Sequence, residues 1–275
     1  MRFVHSLLFS ICLCLSSCDK HEVNPGDDPH FTIVSHEDEG FSGFPKKVEV
    51  FEIPIYAKNG VDDDRLLHAA NIMAQYIDNN EDGEIDNHAV HVAMKEAGAF
   101  MIMWKNQTDL VFMSEPDGMT GQDLGNDETI IDWHTNGHEG QFDSSLEEVL
   151  HIITHAGYAN AYPEVFGEEE GSELCNAMDI ARGGQFFDVP GEYPEEAWFH
   201  YDDETCDYSC MAIEYIYWAL TSLIGAQETR ADDINHEWEL HTPQLLVATD
   251  YAIFDLLTNK EYAFPTVLPD GGYKD

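Results

Sequence analysis

From Tyr208 to Ile224 the chain reads YSCMAIEYIYWALTSLI, apolar on nearly every side of a helix. A helix of that kind cannot lie on a surface. It needs other elements packed around it, so the chain has to build a layered domain with this segment near its centre. Its single charge is Glu214. An ionised carboxylate in such a place is costly unless a hydrogen bond, an arginine or a metal ion offsets the lost hydration. The candidate partners are a tyrosine hydroxyl, Arg182, Arg230 or a cation.

A second stretch, Ser144 to Tyr158, reads SSLEEVLHIITHAGY. As a helix at about 100° per residue it sets His151 and His155 about 40° apart and one turn apart, so the two rings converge. Glu148 lies one turn back on the same side, with Glu147 close behind. Leu146, Val149, Leu150, Ile152 and Ile153 form an apolar face opposite. Two imidazoles beside two carboxylates on a buried helix predict a metal ion, with zinc as the expected species and Glu214 as third ligand. Ser144 and Glu147 also fit a capping box, and each histidine has an ordinary alternative as a hydrogen-bonded core residue. The set His151, His155 and Glu214 distantly resembles the zinc site of zincin-type metallopeptidases. That resemblance implies peptide or amide hydrolysis. The residue after His151 is Ile152, where those enzymes carry a glutamate, so Glu148 becomes the expected general base. His134, His138 and Glu139, just upstream, are candidates to line the same cleft. Tyr158, His200 and Tyr201 are candidates to stabilise an oxyanion.

The third stretch, Asp78-Asn79-Asn80-Glu81-Asp82-Gly83-Glu84-Ile85-Asp86, places side-chain oxygens at loop positions 1, 3, 5 and 9. Gly83 falls at the sharp turn, Glu84 offers its backbone carbonyl, and a helix over Asp62–Ile77 precedes the loop. The pattern resembles the calcium loop of an EF-hand, here spanning residues 78–89, which implies calcium held by Asp78, Asn80, Asp82, Glu84 and Asp86. Position 12 is Ala89 instead of a bidentate glutamate, so weaker binding or a carboxylate from elsewhere is expected, and a single such loop implies a structural clip and not a paired sensor.

Composition narrows the partners. Twelve basic against 54 acidic residues give a net charge of -42 over 275 residues. Such a surface repels nucleic acid and anionic membranes and draws divalent cations. The chain begins with Arg2 and an apolar run, Phe3 to Leu15, and ends that run with Leu15-Ser16-Ser17-Cys18. This resembles the lipobox of bacterial lipoproteins, which implies a signal peptide over 1–17, lipid on Cys18 and anchorage to a membrane of the cell envelope. Residues 18–43 are then expected to be a polar, acidic tether. In an oxidising compartment Cys206 and Cys210 are close enough in sequence to pair, although Cys175 is also available to either.

Residues 44–275 are expected to fold as a single α+β domain, a small mixed sheet packed against several helices. A zincin-like placement would set the His151 helix beside the Glu214 helix. Lys47 to Ala57 reads as one strand with Pro54 at an edge or bulge, and Phe100–Trp104 and Asp109–Met113 as two more. A short strand is expected at Thr129–Trp133, helices at Ser172–Arg182 and Pro243–Thr258, and a helix end at Gly157. The segments EEVLHIITHAGY and CDYSCMAIEYIYWALTSLIGAQ, with the strand before the acidic loop and the proline-rich end, resemble a group of bacterial secreted proteins and lipoproteins. The likeness runs from Phe44 to Tyr273 and implies a location but no activity. The expected function is a zinc-dependent, peptidase-like hydrolase with a structural calcium ion. The alternatives are a non-catalytic calcium-binding module and a zincin without activity.

Overall fold

The computed structural model describes residues 28–110 and 116–274. The leader, Cys18 and most of the expected strand Asp109–Met113 lie outside the described residues. The strands are β1 (Val34–Ser35), β2 (Lys46–Val50), β3 (Ile53–Ala57), β4 (Phe100–Trp104) and β5 (Gly121–Gly125). They form one mixed sheet in that order, antiparallel from β1 to β3 and parallel from β3 to β5. The helices α1 (Asp63–Ile77) and α2 (His88–Glu96) make the crossover between β3 and β4. Then come α3 (Ser145–Ile152), α4 (Ala159–Ala161), α5 (Pro163–Phe166) and α6 (Glu173–Ala181). The long α7 (Tyr208–Leu223) is followed by α8 (Ala231–Ile234), α9 (Pro243–Thr249) and α10 (Tyr251–Thr258). The architecture is the expected mixture of helices and a small mixed sheet.

Both faces of the sheet are covered. Ile55, Ala57, Met101 and Met103 point into the main core with α1, α3 and α7. Their alternates Tyr56, Phe100 and Ile102 meet Phe41 and Phe44 on the other face. This is the period-two pattern of a strand buried on both sides. The second cover comes from a segment expected to be tether: Phe41 is 2% exposed and stacks on Tyr56 with ring centroids 3.8 Å apart. Asp28 accepts from Asn71 Nδ2 of α1 at 2.7 Å, so the packed body starts well before Phe44.

Several expected elements are redrawn. Lys47–Ala57 is a hairpin, turning at Phe51 and Glu52 with φ of 46° and 67°. Two left-handed residues match the twist of a two-residue hairpin, and neither is the glycine or asparagine that would have announced it. Pro54 pairs with Glu49 on β2, while the ladder to β4 begins only at Ile55, so its missing N–H leaves no gap in that ladder. Thr129–Trp133 is no strand; a 3-10 turn runs from Ile131 to His134. Pro243–Thr258 breaks at Asp250, whose carboxylate caps α10 by accepting from Ile253 N. The expected helix Ser172–Arg182 is α6, capped by Ser172, which accepts from Cys175 N at 3.0 Å. α7 is buried as expected, with Met211, Tyr215, Tyr217, Ala219 and Leu220 fully inside. The structure joins Cys206 to Cys210 across the start of α7 and leaves Cys175 a buried free thiol. No helix of the described residues is long and apolar enough to cross a membrane.

Candidate metal centre

The centre forms where α3 crosses α7. After Ile152 the α3 ladder widens into a π-helix from Ile153 to Tyr158. The extra residue per turn alters the angular spacing on which the convergence of His151 and His155 was predicted. His155 comes out with its side chain 44% exposed, its Nδ1 2.8 Å from the Glu168 carboxylate. His151 stays inside, 6% exposed. Gly157 does not end the helix. It lies within the π segment, where a Cβ would come within 2.6 Å of Val90 Cγ1 on α2. Its role is close helix packing.

The structure therefore brings together Glu147, His151 and Glu214, each offering a ligand atom, all within 4.8 Å of one another. His151 Nε2 stands 3.6 Å from Glu214 Oε2 and is a buried polar atom with no hydrogen-bond partner. That separation is too long for a hydrogen bond. It is close to the spacing of roughly 3.3–3.5 Å between two ligands on one tetrahedral ion with bonds near 2.1 Å. On the opposite edge of the ring, Glu148 Oε2 lies 3.5 Å from His151 Nδ1 and accepts from Gln122 Nε2 of β5 at 2.5 Å. Glu148 thus lies on the Nδ1 side of the imidazole, away from the gap between Nε2 and Glu214, the side from which an outer-shell carboxylate acts on a ligand histidine.

Tyr217 packs edge-on to the His151 ring at 5.5 Å. Tyr201 donates its hydroxyl to Glu214 Oε1 at 3.2 Å and is the one oxyanion candidate found in the centre. Tyr158 donates to the Tyr262 carbonyl and His200 contacts the Ala197 carbonyl, both elsewhere. Neither arginine reaches Glu214: Arg182 donates to the Phe186 carbonyl and Arg230 to Gln227.

The electrostatics follow from three carboxylates around one imidazole. Burial raises Glu147, reinforced by Glu148 and Glu214 and opposed by His151, to about 8. Burial raises Glu214 as well. Burial alone would lower His151, but Glu214, Glu148 and Glu147 outweigh it and lift the imidazole to about 9. With its carboxyls ionised the pocket would hold more negative charge than its one ring can balance, which is the condition a divalent cation relieves.

The acidic loop takes the helix–loop–helix form its sequence predicts, between α1 and α2. Asp78, fully buried, accepts from Gly83 N at 2.9 Å, Asp82 N at 3.2 Å and the Tyr273 hydroxyl at 2.6 Å. Asp86 accepts from Asn79 N and Asn80 Nδ2. Gly83, with φ of 83°, makes the turn. The second helix starts at His88, capped by Asn87, so Ala89 at position 12 lies in its first turn.

A further group went unread as a set in the sequence: His68, His134 and Asp143, again with ligand atoms within 4.8 Å of one another. The sequence makes His134 a candidate to line the His151 cleft with His138 and Glu139. Instead it turns inward, while His138 stacks on Trp133 at 4.2 Å and Glu139 belongs to an exposed turn with Asn136. Gly271 (φ 76°) lies against this group, and a Cβ there would come within 2.1 Å of His68 Nδ1. Gly271→Ala is expected to cost at least about 2 kcal/mol, from left-handed strain and overlap with the ring. Urea unfolding checks this; an unchanged midpoint would refute the close approach.

Compared with protein-family models, curated proteins and solved structures, the chain matches none.

Proposed function

We propose that this chain is a metal-binding protein of the bacterial cell envelope whose cation is held by Glu147, His151 and Glu214. The observation that carries the reading is the buried, unpartnered His151 Nε2 facing Glu214 at 3.6 Å. One imidazole with two carboxylates suits zinc and also manganese or iron(II), and zinc is the ion assigned here. Glu148 and Gln122 orient the ring. Anchorage through Cys18 rests on the lipobox-like leader, and a structural calcium ion on the helix–loop–helix frame of residues 78–89.

Hydrolysis of a peptide or amide is a second reading, favoured by the donor count. Three protein ligands leave a coordination position for water, and a bound divalent ion lowers the pKa of such water toward neutrality. In that reading Glu214 and Glu147 bind, Glu148 orients, and Tyr201 holds Glu214 in place.

Metal counting on the purified chain, by mass spectrometry, tests the assignment. The wild type is expected to carry zinc, and His151→Ala to lose one equivalent while its calcium content stays unchanged. An equal zinc count in both proteins would remove the centre. If zinc is confirmed but a peptide library stays intact with the wild type, the hydrolytic reading falls and metal binding stands.

A further inference from the structure

Asp143 lies two residues before the start of α3, fully buried, and receives an unusual set of neighbours. Its Oδ2 is 2.8 Å from His68 Nε2, 2.7 Å from His134 Nε2 and 2.5 Å from Ser145 Oγ. Its Oδ1 accepts from Ile130 N at 2.8 Å. The two histidine side chains are 3% and 2% exposed and Asp143 is 0% exposed. Three donors thus crowd one carboxylate oxygen, which has two lone pairs to offer. His134 Nδ1, on the far side of its ring, is also buried and has no hydrogen-bond partner.

A cation removes that surplus. With an ion present, each imidazole presents a lone pair instead of an N–H, Asp143 supplies the anionic ligand, and Ser145 keeps its hydrogen bond to the carboxylate. We infer that His68, His134 and Asp143 form a second, buried metal site for a divalent first-row cation, independent of the centre at His151. Two imidazoles and one carboxylate are a donor set such ions take. The nitrogens, now at hydrogen-bond distance from Oδ2, would spread by about half an ångström to ligand spacing.

The placement gives the ion a structural role. His68 belongs to α1, His134 closes the 3-10 turn Ile131–His134, and Asp143 precedes α3. One ion would pin three separate segments at the start of the helix that carries Glu147 and His151. The side chains of all three ligands are 3% exposed or less, so the position they leave open is shielded from bulk solvent and substrate, which separates it from a catalytic site.

The test separates the two sites. The full chain is loaded with zinc in excess calcium, which keeps zinc off the acidic loop, then desalted and counted by mass spectrometry. Glu214→Gln, which removes a ligand of the first site only, is expected to keep one zinc. Glu214→Gln with His134→Gln is expected to keep none. A zinc-free Glu214→Gln chain would overturn the second site while leaving the first intact. One zinc in both the wild type and Glu214→Gln would leave the second site standing and remove the first. Retention of that zinc by the double variant would overturn the second site.

Should the double variant fail to fold, isotope-labelled Glu214→Gln decides the matter by nuclear magnetic resonance. The ring-nitrogen signals of His68 and His134 must move when zinc is added. Signals that stay in place would mean that Asp143 only organises two histidines by hydrogen bonding.

Discussion

Trp238→Ala is expected to remove about 3–5 kcal/mol of folding stability, the range for deleting a large aromatic side chain from a close-packed core. Trp238 is 0% exposed although it lies in the polar connection after α8. Its ring meets Phe199 and Tyr215, each at 6.1 Å and nearly edge-on, and its Nε1 donates to Ser222 Oγ at 2.9 Å. The backbone bridges Phe199 as well, so one residue fastens two irregular segments to α7. Alanine would leave a cavity between Tyr215 and Phe199 and strand the Ser222 hydroxyl. Trp238→Phe, which keeps most of the ring volume and loses only the N–H donor, is expected to cost about 1–2 kcal/mol. Urea unfolding with an unchanged slope measures both. Equal losses for the two variants would show that the hydrogen bond dominates, against the packing argument.

Trp238 also shows where sequence reading reaches its limit. α1, α6 and α7 announce themselves through their apolar residues, because that signal is local. β5 gives no such signal, since Gly-Gln-Asp-Leu-Gly has neither alternation nor β-branched residues. It is a strand because of what lies beside it on β4. A Cβ on Gly121 would come within 2.4 Å of Phe100 Cζ, and one on Gly125 within 2.8 Å of Trp104 Cη2. The glycines make room for two aromatic rings, so tertiary packing overrides strand propensity. Trp238 sits in a stretch equally unremarkable by pattern, and its burial follows from Phe199 and α7, far away in sequence.

The metal centre divides in the same way. His151 and Glu214 were legible because each is a polar residue on a strongly apolar helix, and the crossing of α3 with α7 sets them face to face. His155 was misplaced because helical spacing presumes a uniform helix, and a π segment begins two residues after His151. The capping box fails at the other end of the helix, where Ser144 already has helical dihedrals (φ -65°, ψ -8°). Ser144 makes no side-chain cap, and the carboxylate of Asp143 instead accepts from Ser145 N at 3.4 Å. No periodicity joins residues 68, 134 and 143, so their meeting had no sequence signature.

The second large effect is expected at that meeting point. Asp143→Ala should destabilise the chain by about 3–5 kcal/mol, the range for removing one partner of a buried charged pair. The loss has several parts. Two imidazoles and the Ser145 hydroxyl lose their shared acceptor, and Ile130 N loses the carboxylate oxygen it donates to. Each buried group left unpaired carries its own desolvation penalty. Neighbouring charge shows how firmly the carboxylate is held: burial would raise its pKa, but hydrogen bonds from His134 and His68 drive it far below the usual range. Asp143→Asn retains an acceptor for Ile130 N, and its amide can donate to an imidazole, so it should lose less than alanine. Unfolding curves taken in chelator measure the hydrogen-bonded network alone. The same curves with zinc add whatever the ion contributes. If alanine and asparagine lose equally little in chelator, the network is not a keystone of the fold. A large loss for alanine with a partial return for asparagine would establish Asp143 as the residue that fixes the start of the helix bearing Glu147 and His151.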